Sequence, residues 1–234
     1  PQSSSPNPPF RTSTLQMTAS SFLGFTADRT MRAAQNLYEA GLITYLRTDG
    51  INISTSPNTG EPFSEENPGP PPLQEIRNVI VEKFGDEFLS DQVRVYKSKV
   101  KNSQEAHEAI RPTNIKTYPE NINLGQDEQK LYTLIWNRTL SSQMSNSQHE
   151  RKKIVVCSKE DKFVFNASSR KTLFEGFETL SKKDSSEIIE FPENLKENEN
   201  VSLAEFISEQ KFTSPPNRYS EASLIKKMEE LGIG

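Results

Sequence analysis

Apolar residues recur at helical spacing over the first two thirds of the chain and alternate with polar ones in the last third. The first helix predicted runs from Thr12 or Ser13, either of which can cap it, through Leu15 and Ala19 to Phe22, where Gly24 interrupts. Thr26 can cap a second helix over 27–40, with Met31, Ala34, Leu37 and Tyr38 as its buried stripe and Gly41 to end it. A third covers 73–84, with Ile76, Val79 and Ile80 inward and Gly85 as its stop. A short helix capped by Ser103 must end at Arg111, because Pro112 follows. The helix over 127–144 carries Leu131, Leu134, Ile135, Arg138 and Leu140, with Trp136 on a flank as a core residue. Ser220 caps a last helix over 221–231, and Gly232 stops it.

Strand signals fall elsewhere. The run 42–46 reads as a strand of about five residues between Gly41 and Gly50, and 93–98 as an edge strand. From His149 the period changes to two. Segments 153–157 and 162–167 read as a hairpin joined by Lys159, Glu160 and Asp161, with further strands at 186–191 and 200–210. The pattern is therefore α+β. Residues 1–9 are a linker of Pro, Ser, Asn and Gln, and 10–147 a helix-rich domain. Within that domain, 55–72 is an exposed insertion loop rich in Pro, Gly, Asn and Glu. Residues 148–216 form a β-rich module closed by Pro215-Pro216, and 217–234 begin a further helical domain. No initiator methionine or signal-peptide core opens the chain, so the start reads as a cut through a longer protein.

Composition narrows the chemistry. The chain has 234 residues, 32% of them hydrophobic, so its core is modest for its length. A net charge of -4 gives no global field that draws in nucleic acid, although a local basic face can still act. Cys157 is the only cysteine, which excludes an intramolecular disulfide and a cysteine metal cluster. With two histidines, His107 and His149, no dedicated zinc site is expected, and the metal ligands expected in this chain are none. No apolar run approaches the ~20 residues of a membrane span.

One stretch carries candidate chemistry: Gly41-Leu42-Ile43-Thr44-Tyr45-Leu46-Arg47-Thr48-Asp49-Gly50. On a strand, Tyr45 and Arg47 share a face. A phenol and a guanidinium side by side can attack a phosphate and hold its charge. The plain alternative is a tyrosine packed on the core with Arg47 passing over it. On the predicted short helix, His107 and Arg111 lie four apart on one face and can clamp a phosphate. In the other reading, Glu108 and Arg111 pair locally and fix that segment.

Four separated blocks bear on the choice. They are Pro8-Pro9-Phe10-Arg11-Thr12-Ser13-Thr14-Leu15-Gln16; Leu37-Tyr38-Glu39-Ala40-Gly41-Leu42-Ile43-Thr44-Tyr45-Leu46-Arg47-Thr48-Asp49; Ala106-His107-Glu108-Ala109-Ile110-Arg111-Pro112-Thr113; and Phe212-Thr213-Ser214-Pro215-Pro216-Asn217-Arg218-Tyr219-Ser220-Glu221-Ala222-Ser223-Leu224. In this order and spacing the chain resembles the central part of bacterial-type DNA topoisomerase I, the type IA class, from about Pro8 to Gly234 except 55–72. The resemblance implies that Tyr45 is the nucleophile that breaks single-stranded DNA and keeps the 5′-phosphate as a phosphotyrosine. A strand or duplex then passes, and the 3′-hydroxyl reseals the break, relaxing negatively supercoiled duplex DNA. It implies Arg47 as the arginine beside the nucleophile, and His107, with Arg111 near it, in DNA or phosphate contact.

It also implies a CAP-like tyrosine domain and a β-rich arch, parts of a multi-domain toroidal enzyme. Magnesium is implied as cofactor, held by an acidic domain of the same protein that this chain does not contain. The implied setting is the cytoplasm at the bacterial nucleoid, or an organelle in a eukaryote. The chemistry agrees. A free phenol titrates near ~10 and must lose its proton during attack, and the spread charge of a phosphoryl transition state is stabilised by nearby cations. One phosphodiester replaces another, so no ATP is needed, and the chain shows no Gly-rich phosphate loop of the P-loop type. The rival is a non-catalytic DNA-binding or protein-interaction module with a structural tyrosine.

Overall fold

The computed structural model describes residues 2–54, 71–97, 107–159, 162–181, 191, 194–202, 204–205 and 207–233. The first helix, α1 (Thr12–Leu23), follows an extended Arg11 and ends at Gly24 in the left-handed region at φ 68°. Thr12 does not cap it, because its hydroxyl is spent on Leu46 O at 2.7 Å. α2 (Ala27–Glu39) is capped by Thr26, whose hydroxyl accepts from Arg29 N at 3.2 Å. Its buried face is Thr30, Ala33, Ala34 and Leu37. The expected stripe was therefore rotated: the small alanines turn inward where α2 meets α1 and α4, while Tyr38 is 39% exposed.

α3 (Pro72–Phe84) ends at Gly85 as expected. α4 (Gln126–Ser141) crosses the centre, burying Leu131, Tyr132, Ile135, Trp136 and Leu140. Trp136 is core, and its indole N–H donates to Ile115 O at 2.9 Å. These four helices and the turns between them enclose one apolar cluster reaching from Phe10 to Met144.

The proline-rich start is not a free linker. Its β1 (Gln2–Ser4) pairs antiparallel with the base of β2, and Pro6 and Pro9 are buried. The Tyr96 hydroxyl donates to Ser142 O at 2.8 Å and sits 3.5 Å from Pro6 O, and Arg138 lies 4.4 Å over the Phe10 ring.

β2 (Ser147–Cys157) and β3 (Val164–Phe174) form the expected hairpin, longer than its apolar pattern implied. The pairing runs from Gln148↔Phe174 out to Cys157↔Val164, and the sheet order is β1-β2-β3, antiparallel throughout. Only its root packs on the body. There a bulge at Gln148/His149 turns His149 inward. The His149 ring accepts at Nε2 from Arg170 at 2.6 Å, close to Glu178 of the 3-10 turn Gly176–Leu180. Beyond the root the hairpin is open to solvent on both faces, and the free thiol of Cys157 is exposed near its end.

Other expectations fail. Residues 93–97 are irregular rather than an edge strand, with Asn52 pairing to Tyr96 N and O through its side chain. The described residues of 200–210 form no strand; Val201 and Ile207 are 56% and 79% exposed, and among the described residues no strand pairs with them. Of the insertion expected at 55–72, Pro71 and Pro72 instead open α3, with Pro72 buried, and 55–70 lie outside the described residues, as do the Ser103 cap, Glu160-Asp161 of the hairpin loop and 186–190. After a described stretch without helix or strand, α5 (Glu221–Leu231) forms as predicted. It is capped by Ser220 and closed by Gly232 at φ 68°. Helices and a small antiparallel sheet thus make an α+β fold.

Candidate active site

Residues 41–50 are not a strand. Ile43 and Leu46 are buried while Tyr45 and Arg47 point out, a spacing of three that strict alternation cannot produce. A single bridge, Ile43↔Pro112, is the only ladder contact in the stretch, among the described residues. Threonines replace the missing ladder. Thr44 Oγ1 donates to Ala109 O at 2.8 Å and accepts from Arg111 N. Thr48 Oγ1 donates to Glu108 O at 2.8 Å, and Thr113 Oγ1 to Gly41 O at 2.6 Å. Thr12 holds the far end: its hydroxyl donates to Leu46 O and accepts from Thr48 N at 2.9 Å, and its own N–H donates to Thr48 O at 3.0 Å. Gly50 crosses the His107 backbone so closely that a Cβ there would sit 2.0 Å from His107 O.

On this fastened segment Tyr45 is 54% exposed. Its ring meets the edge of Tyr38 at 5.5 Å and 68°, a favourable T-shaped contact. Neither the Tyr45 hydroxyl nor the exposed Arg47 guanidinium has a hydrogen-bond or ion-pair partner among the described residues. Tyr45 and Arg47, two residues apart, thus both present their polar ends to solvent. The reading of Tyr45 as a packed core residue does not fit its exposure.

His107 and Arg111 are not on one helical face, because 107–111 is extended: Ile110 bridges Phe10, and Glu108 bridges Asn52. The proline stop after Arg111 is as compatible with extended backbone as with a helix end. His107 is half-exposed, with Nδ1 3.1 Å from Asp49 Oδ1. Asp49 is the residue sequence reasoning missed, although it stands inside the tyrosine block. Arg111 is only 3% exposed. It grips Glu108 with two bonds, Nε to Oε1 at 2.8 Å and a terminal N–H to Oε2 at 3.2 Å, and donates to Pro112 O at 2.8 Å. Glu108 Oε1 accepts in turn from Ser54 N. The local-pairing alternative is the observed one.

A family model described as DNA topoisomerase matches residues 1–234, the whole chain. The chain belongs to the bacterial DNA topoisomerase I family, the type IA class. Among its relatives, DNA topoisomerase 1 of Rickettsia bellii is 43% identical over all of this chain, which spans 29% of that protein. DNA topoisomerase 1 of Helicobacter pylori strain 26695 is 44% identical over 97% of this chain and 30% of its own length. The full-length topoisomerase I structure from Thermotoga maritima superposes with a TM-score of 0.74 at 35% identity, over all of this chain and 36% of that one. This chain therefore spans about a third or less of the topoisomerases it matches. Among the described residues no group of three or more His, Cys, Asp or Glu side chains is placed to hold a metal ion. No described helix is long and apolar enough to cross a membrane.

Proposed function

We propose that this chain is the nucleophile-bearing part of a type IA DNA topoisomerase that breaks and reseals one DNA strand, relaxing negatively supercoiled duplex DNA. The observation that carries this reading is the pair Tyr45 and Arg47, both exposed and unpaired on a segment fastened along its length. Tyr45 gives up its phenolic proton and attacks the phosphorus of a single-stranded phosphodiester. The Tyr45 O–P bond forms, the bond to the 3′-oxygen breaks, and that oxygen leaves as a hydroxyl after taking a proton. The 5′-phosphate stays on Tyr45. After strand passage the 3′-hydroxyl attacks the phosphotyrosine and restores the original bond. Arg47 holds the charge that gathers on the phosphoryl oxygens. His107, oriented by Asp49, faces the strand as a second phosphate contact. Arg111 acts at one remove, keeping Glu108 and thereby the 107–113 segment in place.

Residues 10–147 serve as the CAP-like tyrosine domain. Residues 148–216 form the hinge or arch, and 217–234 open the next helical domain of a toroidal enzyme. The acids that bind magnesium belong to another domain of the longer protein, which works at the bacterial nucleoid. The 234-residue chain alone leaves supercoiled DNA unrelaxed.

The test uses the full-length protein with magnesium and a single-stranded oligonucleotide labelled at its 3′ end, followed by denaturation. A covalent adduct carrying the label, absent in Tyr45→Phe and lowered about 10²-fold in Arg47→Ala, is the expected result. Intact strand binding without any adduct would favour the non-catalytic DNA-binding module instead.

A further inference from the structure

α5 is attached to the body in an unusual way. None of its residues is fully buried, and Leu224, Met228 and Leu231 are 46%, 37% and 60% exposed. Its packing partner is α1, and the inward stripe is Ala222, Ile225 and Glu229, partly covered at helical spacing. The last member of that stripe is a charge. Glu229 is paired with Arg11, whose side chain is 14% exposed against 26% for the glutamate, and it also accepts from Ser13 Oγ at 2.7 Å. Two turns earlier on α5, the Glu221 carboxylate accepts from Ala27 N, the first amide of α2, at 2.6 Å.

Both carboxylates therefore sit at the positive ends of helices, where an anion is favoured. The first turn of α1 has no acid of its own, so Glu229 supplies one from outside. Eight residues of helix at ~1.5 Å each separate the two carboxylates by about 12 Å, which lets one helix engage both ends at once. The described residues leading to α5 carry no helix or strand, so α5 is held by this docking and by an irregular tether.

The docking point adjoins the candidate active site. Arg11 precedes Thr12, and Thr12 holds Leu46 O and both backbone groups of Thr48 on either side of Arg47. We propose that α5 is a detachable acidic clasp: Glu229 and Glu221 hold it on the starts of α1 and α2, and its docking sets the Tyr45–Arg47 segment through Arg11 and Thr12. Arg11 is thus a positioning residue. The clasp opens without unfolding the body, because its grip is polar: salt screens the helix-end attraction on the exposed Glu221, and the part-buried Arg11–Glu229 pair less. The functional meaning of this coupling rests on the reading of Tyr45 as nucleophile; the coupling itself does not.

The test is residue-resolved amide exchange by NMR on the 234-residue chain without DNA. In Glu229→Lys, the α5 amides and the Thr48 amide exchange about tenfold faster, while α4 amides stay protected. In the wild type, 1 M sodium chloride shifts the same amides in the same direction. The double variant Arg11→Glu/Glu229→Arg regains protection at both places. Exchange in α5 unchanged by Glu229→Lys and by salt would overturn the clasp. A freed α5 with Thr48 still protected would overturn the coupling to the tyrosine segment. Because no DNA enters the measurement, either failure leaves the strand-cleavage reading standing, and a missing DNA adduct leaves the clasp standing.

Discussion

α4 and α5 carry the same kind of sequence signal and meet different fates. Both are amphipathic, and both were legible from apolar spacing. α4 buries Leu131, Tyr132, Ile135 and Leu140 completely. α5 buries nothing and is held by two carboxylates. Periodicity reports that a helix has an apolar side; it does not report whether the rest of the molecule covers that side. The difference separates a part of this molecule that defines the fold from a part that docks on it, and the two respond differently to substitution, salt and pH.

The contrast is sharpest in the core. Leu131→Ala or Ile135→Ala should lose about 2–5 kcal/mol in urea unfolding, whereas Leu224→Ala in α5 should stay within ~0.5 kcal/mol. Equal losses would erase the distinction. Next comes Thr12→Val, which keeps the shape but strips the bonds to Leu46 O and Thr48 N. About 1–3 kcal/mol is expected from these unsatisfied backbone groups, together with faster exchange at Thr48.

Tyr96→Phe, which removes the bond to Ser142 O, should cost about 1 kcal/mol at neutral pH. Burial, the leading cause, raises the Tyr96 hydroxyl from 10.0 to about 12. The folded state therefore favours the protonated phenol: this contribution is fully present below pH 10 and fades as pH rises through 12. Alkaline unfolding of Tyr96→Phe should lack that component, and identical alkaline profiles for variant and wild type would argue against it. The smallest effect is Ser220→Ala, which removes the α5 cap at Ser223 N. It should weaken α5 alone by about 1 kcal/mol, visible as faster local exchange with no change in the melting of the body.

The helices were legible because each carries its own period and its own stop signals: Thr26, Gly24, Gly85, Ser220 and Gly232 act where they stand in sequence. The tyrosine segment was not, because its geometry comes from partners about 35 and 65 residues away, Thr12 and the 108–113 stretch. Five consecutive residues with three aliphatics look like a strand whether or not an edge is there to pair with them. Composition misread residues 1–9 for a related reason, since prolines suit an extended segment laid on a core as well as a linker. Arg111 stood between two readings, phosphate clamp and local pair, because nothing local distinguishes a guanidinium aimed at Glu108 from one aimed outward. Asp49 went unnoticed because its significance is its distance to His107, which only the crossing at Gly50 creates.

The hairpin provides a consequence for experiment. Cys157 is the sole sulfhydryl of the chain and lies exposed at the last cross-strand pair, nine residues beyond Gln148. At ~3.4 Å per residue that is about 30 Å from the hairpin root. A maleimide fluorophore added to the unaltered 234-residue chain will therefore label one address, at the far end of the hairpin. The polarisation of its emission then measures how freely this arm swings, with no cysteine to be engineered in or out.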